Sequence, residues 1–267
     1  MPAATETAAA PDRNPAARFS NRVDNYVRYR PDYPDEILDC LVKEAGLTPA
    51  WVIADVGSGT GILSAKFLKC GNVVYAVEPN DEMRAAAEKR LRGHAGFISI
   101  KAAAEATSLP ADSVDLIVAG QAFHWFDQER TRAEFLRILK SPGWVALVWN
   151  TRKTDSSPFF RDYERLLQTF ALDYRQVDHR NVTAESLRGF SPLLQKRTFP
   201  NARDLDFESL KGNLLSASYA PLPGHPNFEP MMAELERIFS RHENGGIVRV
   251  EYETELYFGR LQKFVNG

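Results

Sequence analysis

Between Val52 and Trp149 the chain alternates short apolar runs with helix-length stretches, and that rhythm restricts the fold more than any other feature. Val52–Val56 (VIADV), Val73–Val77, Phe97–Ala102, Val114–Ala119 (VDLIVA) and Trp144–Trp149 (WVALVW) read as strands, Phe97–Ala102 the weakest of them. Helices are expected over 62–70, ended by Gly71, from an N-cap at Asn80 to Leu91, and over 128–139, with Gly143 following. Strands without a polar face, alternating with helices, indicate an α/β fold whose parallel sheet is covered on both sides.

The flanks differ. Met1–Ala17, rich in Ala, Pro and Thr, reads as a disordered tail and lacks the charged-then-apolar pattern of a secretory signal. The aromatic, basic stretch RFSNRVDNYVRYRPDYP follows, then a helix over 35–46 closed by Gly46. Residues 155–243 hold helix-like stretches broken by prolines, with a strand expected around 193–199. Over Ile247–Phe258, Val250, Tyr252, Thr254, Leu256 and Phe258 fall on one side and Arg249, Glu251, Glu253, Glu255 and Tyr257 on the other, a half-exposed strand.

Composition narrows the function. Of 267 residues, 33 are Lys or Arg and 35 are Asp or Glu, a net charge of −2 with no basic stripe, which argues against nucleic acid as a partner. No apolar run nears the ~20 residues of a membrane span. Cys40 and Cys70, with no disulfide framework around them, suit a reduced cytoplasmic setting. The histidines lack ligand spacing, so no metal is expected.

The strongest chemical signal is Asp55-Val-Gly57-Ser58-Gly59-Thr-Gly61, which follows a strand and opens a helix. Glycines let the backbone turn sharply and approach a ligand closely. Glu78 lies 78 − 57 = 21 residues after Gly57, at the end of the next strand, where a carboxylate can accept both ribose hydroxyls of an adenosine. The spacing is G-x-G-x-G, not the G-x-G-x-x-G of dinucleotide folds. Asp55 attracts an ammonium and repels a diphosphate, so a cationic amino-acid moiety fits better.

With VEPNDEM and AAEATSLPADSVDLIVAGQAFHWFD added, the sequence resembles the class I S-adenosylmethionine-dependent methyltransferases, closest to the small-molecule group of trans-aconitate type. The resemblance covers about 19–152 and more loosely the C-terminus. It implies a Rossmann-like seven-stranded, mostly parallel sheet with an antiparallel last strand and a helical cap insertion. The implied division is a core over 18–152, a cap over 153–245 and a closing strand over 246–267.

The resemblance also implies site residues. Gly57, Ser58, Gly59 and Gly61 would face the methionine portion of S-adenosylmethionine, with Asp55 beneath its amino group. Glu78 would hold the ribose, Pro79 and Met83 would pack near the adenine, and Ala104 and Glu105 would meet its edge. Gln121 would lie near the amino-acid group. Tyr26, Tyr29 and Arg30 would close over the cofactor, Arg30 pairing its carboxylate.

Methyl transfer from a sulfonium relies mainly on proximity and orientation. A base is needed only where the acceptor must lose a proton. His124, directly after the fourth strand, is the candidate for it, although a loop-anchoring or cofactor-side role is favoured; His124, Trp125 and Arg152 are candidate substrate contacts. Asp127 reads as a helix N-cap. No Asn/Asp-Pro-Pro-aromatic or Pro-Cys follows that strand, which argues against adenine-amino and cytosine-C5 methylation. The expected activity is methyl transfer to a small-molecule acceptor, through a carboxylate or hydroxyl. A non-enzymatic S-adenosylmethionine-binding module and an NAD(P)-dependent oxidoreductase are the alternatives.

Overall fold

The computed structural model describes residues 20–262, so the expected tail over 1–17 lies outside the described residues. One sheet of seven strands runs through the molecule: β1 (Val52–Val56), β2 (Val73–Val77), β3 (Phe97–Ile100), β4 (Val114–Gly120), β5 (Leu139–Arg152), β6 (Gln195–Leu205) and β7 (Val248–Arg260). Their order is β3-β2-β1-β4-β5-β7-β6. The first five strands are parallel, and β7 is antiparallel to both its neighbours, β5 and β6. The antiparallel last strand is thus where the sequence put it.

Side chains alternate across each strand, so a sheet covered on both faces buries every residue of its central strands. Ala54, Val56, Ile117, Ala119, Val145 and Leu147 meet Phe123, Phe135 and Ile138 on one face. Ile53, Leu116, Val118, Ala146 and Val148 meet Ile37, Leu41, Leu63 and Phe67 on the other. Full burial of side chains such as Phe67 and Phe135 contributes about 1.5–3 kcal/mol each. In β7 the expected alternation holds: Val250, Tyr252, Thr254, Leu256 and Phe258 are buried, while Arg249 and Glu253 are exposed.

Helix boundaries follow their caps. Asn80 Oδ1 accepts from Met83 N at 2.8 Å and Asp127 Oδ1 from Arg130 N at 3.1 Å, starting the helices Asp81–Leu91 and Gln128–Ile138. The segment after Pro34 begins as an α-helix, Glu36–Cys40, loosens into a π-helical turn, Leu41–Ala45, and stops at Gly46 with φ 82°. β5 is longer than its apolar run at both ends: Leu139 pairs with Val114 of β4, and β7 lends partners at the far end, Asn150 facing Thr254 and Arg152 facing Tyr252. The strand expected around 193–199 is β6, which extends to Leu205 along β7. β3 stops at Ile100, two residues short of the expectation, because its pairing with β2 ends at Val77–Ile100.

Within 153–245, the helices Pro158–Phe170, Phe207–Leu215 and Phe228–His242 enclose a third core. That core also takes Val248, Val250 and Tyr252 from β7. The helix Val23–Tyr29 packs against Phe207–Leu215, and Arg22 Nη2 donates to Ala220 O at 2.6 Å. Among the described residues no helix is long and apolar enough to cross a membrane.

The order reverses between β1 and β4: the chain moves outward through β2 and β3 on one side and through β5 on the other. Such a switch point opens a crevice beyond the carboxyl ends of the strands, the usual ligand site of doubly wound sheets. The glycine turn leaves β1 there, and Gln121 leaves β4 there.

Candidate active site

The turn's glycines have separate reasons. All three have positive φ: 70° at Gly57, 55° at Gly59 and 76° at Gly61. A Cβ on Gly57 would meet Ala122 Cβ at 2.6 Å, and one on Gly61 would meet Leu91 Cδ1 at 2.6 Å. A Cβ on Gly59 would meet nothing within 4 Å. Two glycines therefore allow the turn to pack, and the middle one borders open space. Gly57 N and Ser58 N donate to Val77 O at 2.9 and 3.1 Å, which ties the turn to β2.

Glu78, at the end of β2, is 8 % exposed. Its Oε2 accepts from Gly59 N at 2.8 Å and its Oε1 from Asn80 N at 2.9 Å. Burial pushes its carboxyl above the usual range, and the two N–H donors pull it back. Each oxygen keeps a lone pair for a further donor, the requirement for holding ribose hydroxyls.

Asp55 is 1 % exposed and less well satisfied. Ser64 Oγ donates to its Oδ2 at 2.6 Å, while Oδ1 is buried without a hydrogen-bond partner. Burial pushes its carboxyl up to about 7. Ser58 Oγ and Thr60 Oγ1 are also buried and unpartnered. All three residues line one small cavity with Tyr26, Tyr33 and Gly57. Buried polar groups without partners are rare and costly, so this cavity suits a polar ligand. An ammonium beside Asp55 Oδ1, with a nucleoside running past Gly59 toward Glu78, fits the residues present.

A second cavity, partly open to solvent, shares Tyr26 with this one. Arg30, Gln121, His124, Trp125 and Arg152 all line it, so the structure brings these residues together. Arg30 lies over the Tyr26 ring at 4.9 Å and donates to Ser216 O at 3.1 Å. Its Nε is buried without a partner, and no ion pair links it to a carboxylate among the described residues. Arg152, by contrast, donates to Glu164 Oε2 at 2.6 Å and lies over the Tyr163 ring at 4.8 Å. Arg180 is bound to Asp178.

Gln121 adopts φ 54°, and its Nε2 donates to Asn150 O at 3.1 Å. His124 sits in the single-turn helix Phe123–Trp125, with Trp149 Nε1 donating to its Nδ1 at 3.5 Å. Burial, with His179 adding to it, pushes its pKa down to about 3.

The remaining expected residues lie outside both cavities. Tyr29 turns away: its ring occupies the space where a Cβ on Gly212 would fall, and its carbonyl accepts from Asn213 Nδ2 at 2.9 Å. Met83 and Ala104 are buried and Pro79 is exposed. Glu105 Oε1 accepts from Asp127 N at 2.9 Å, bracing the loop that carries His124. Sequence reasoning did not single out Tyr33, Tyr163, Tyr174, Tyr219 and Tyr252, which line the two cavities. Tyr252 was legible only as an inward residue of its strand.

Comparison with known proteins agrees with this geometry. Residues 54–147 match the family model of a methyltransferase domain. A fission-yeast protein called an uncharacterized methyltransferase is 30% identical over 222 residues, covering 82% of this chain and 86% of its own length. A second fission-yeast protein, called methyltransferase-like, is 29% identical over 245 residues, covering 90% and 93%. A putative type II methyltransferase from Anaeromyxobacter dehalogenans superposes with TM-score 0.64 at 22% identity, covering 87% of this chain and 98% of that one. The Haemonchus contortus phosphoethanolamine N-methyltransferase 2, solved with S-adenosylhomocysteine, superposes with TM-score 0.55 at 12% identity, covering 91% and 58%. The switch-point glycine turn, the strand order and these relatives lead to one conclusion: the chain belongs to the class I S-adenosylmethionine-dependent methyltransferases.

Proposed function

We propose that the protein methylates a small molecule bound in the cavity lined by Arg30, His124 and the tyrosines of 153–252. The observation that carries this reading is the junction at Tyr26, where that cavity meets the one beside Asp55. A partly enclosed space lined by phenols and imidazoles suits a metabolite better than nucleic acid or a protein surface. The free cysteines fit a cytoplasmic protein.

Bound S-adenosylmethionine supplies a methyl group activated by its sulfonium. The chain's part is to bind and orient. Asp55 would hold the amino group, Arg30 the carboxylate, and Glu78 the ribose hydroxyls. Gln121 and Tyr26 line the cavity from which an acceptor would approach the methyl group. Such positioning can supply up to about 7–11 kcal/mol of the barrier.

The acceptor presents a carboxylate or a hydroxyl oxygen. Arg152 and Arg180 already carry carboxylate partners. That leaves mainly phenols and imidazoles to contact the acceptor, which favours the hydroxyl. His124 serves better as an N–H donor than as a base: an indole N–H can only donate, so His124 Nδ1 accepts and its proton sits on Nε2.

The test combines calorimetry with S-adenosylhomocysteine and a metabolite panel read by S-adenosylhomocysteine release. Wild type should bind S-adenosylhomocysteine and turn over at least one small acceptor. Glu78→Ala should weaken binding at least tenfold by leaving ribose hydroxyls unpaired. Binding without turnover of any small molecule would overturn the acceptor class, and unchanged affinity in Glu78→Ala would remove Glu78 from the site.

A further inference from the structure

Two imidazoles line the large cavity, His124 and His179, with ring centroids 6.2 Å apart. Their hydrogen bonds give both the same tautomer, but only one of them keeps a free lone pair. His124 presents an N–H, because Trp149 occupies its Nδ1. His179 lies in the single-turn helix His179–Asn181, and its Nε2 is 2.9 Å from Thr151 Oγ1. Thr151 Oγ1 in turn lies 3.2 Å from Glu255 Oε2.

A threonine hydroxyl has one hydrogen, and a carboxylate only accepts. The Thr151 hydrogen therefore points at Glu255, and Thr151 Oγ1 must accept from His179. That places the His179 proton on Nε2 and leaves a lone pair on Nδ1. Nδ1 has Asp178 Oδ1 at 3.7 Å, too far for a hydrogen bond, and Asp178 is already engaged by the Arg180 N–H and guanidinium. The ring is held in place by Trp149, which stacks on it at 6.4 Å and 15°. Glu255 and Trp149 are cross-strand partners on β7 and β5, and Thr151 is two residues further along β5, so all three lie on one face of the sheet.

We propose that His179 is the general base of methyl transfer, with Thr151 and Glu255 as positioning residues, and that the acceptor atom is a hydroxyl oxygen. This rests on the small-acceptor reading given above. In the step, the acceptor O–H bond breaks and its proton goes to His179 Nδ1. The oxygen's electron pair forms the new O–C bond to the methyl group. The S–C bond breaks, and its electrons stay on sulfur. The products are a methyl ether, a neutral thioether and an imidazolium that returns its proton to water. A carboxylate acceptor would need no such base.

The surroundings suit a base that is neutral at rest and tolerates a charge in passing. Burial holds the imidazole below its ordinary range. Asp178 and Glu255 favour the cation, while Arg180 and Arg30 oppose it. Neighbouring His124 is neutral, and Lys196 pairs with the other oxygen of Glu255.

Histidine ¹⁵N NMR of the S-adenosylhomocysteine complex tests the wiring without any acceptor. His179 should be the Nε2–H tautomer at pH 7; an Nδ1–H tautomer overturns the proposal. The kinetic arm uses a panel of alcohols, phenols and hydroxy acids beside the matching carboxylic acids without hydroxyls. Hydroxyl compounds should be methylated. His179→Gln should lower kcat by about 10²–10⁴-fold, abolish the acid limb of the kcat profile, and leave S-adenosylhomocysteine affinity within about twofold, inside the scatter of a distant substitution. Thr151→Val should shift that limb and Thr151→Ser should restore it; His124→Gln should keep it. Normal kcat and pH profile in His179→Gln, or methylation of the carboxylic acids alone, would refute the base. Failure of wild type to methylate any panel member, while still binding S-adenosylhomocysteine, would instead sink the small-acceptor reading and the base with it.

Discussion

Asp55 and Glu78 are both buried carboxylates at strand ends, yet they are held differently. Glu78 accepts two backbone N–H bonds, whereas Asp55 has Ser64 alone and an orphaned Oδ1. The Asp55 carboxyl, raised from 3.8 to about 7, has a pH signature whose sign is fixed. The folded protein holds this proton more tightly than the unfolded chain. The stability it confers is full below pH 3.8 and is lost as pH rises toward about 7. Asp55→Asn should therefore melt higher than wild type at pH 8 without ligand, yet bind S-adenosylhomocysteine more weakly. An ammonium beside Oδ1 favours the carboxylate, so binding near pH 6.5 should release a proton. Calorimetry in buffers of different ionisation enthalpy measures this, and proton uptake would contradict the placement of the amino group. Both carboxylates were legible because each sits at a strand end beside a turn. The wiring of His179 was not, since Thr151 and Glu255 are 104 residues apart and meet only through the β5–β7 pairing.

At the level of elements, the glycine turn separates packing from binding. A side chain at Gly57 or Gly61 runs into Ala122 or Leu91, whereas at Gly59 it enters open space. All three also have positive φ, so an L-residue at any of them costs about 1–2 kcal/mol of backbone strain. Gly61→Ala and Gly57→Ala should lose more stability than Gly59→Ala in urea unfolding, because a clash adds to the strain. Gly59→Val should still fold yet lose S-adenosylhomocysteine binding, and a Gly59→Val protein that folds and binds normally would refute the assignment of the loop. The strands β1 and β4 were readable within a residue because they are buried on both faces, and β2 because its apolar run is unbroken. β6 and the far end of β5 were read short because they owe their pairing to β7, and a one-dimensional pattern does not carry that register.

The whole molecule joins its parts through shared cores. The helices of 153–245 were read as a cap, but their core is completed by Val248, Val250 and Tyr252 on β7, a strand whose other half buries Leu256 and Phe258 against the parallel sheet. The N-terminal segment crosses the same junction. Arg22 and Arg30 donate to carbonyls of 215–220, and Tyr29 fills the space beside Gly212. Cap and sheet consequently cannot open far without breaking β7, and the Arg30 side of the cavity moves with both. Leu235 lies in that third core with 0 % exposure. Leu235→Ala should destabilise the entire protein by about 2–5 kcal/mol, with far-UV circular dichroism and tryptophan fluorescence still moving in one coincident urea transition. The fluorescence reports on the sheet, since Trp51, Trp144 and Trp149 pack into its two cores. A separate early transition in circular dichroism, with the fluorescence midpoint unchanged, would mean that the cap folds independently and that β7 does not couple it to the cofactor site.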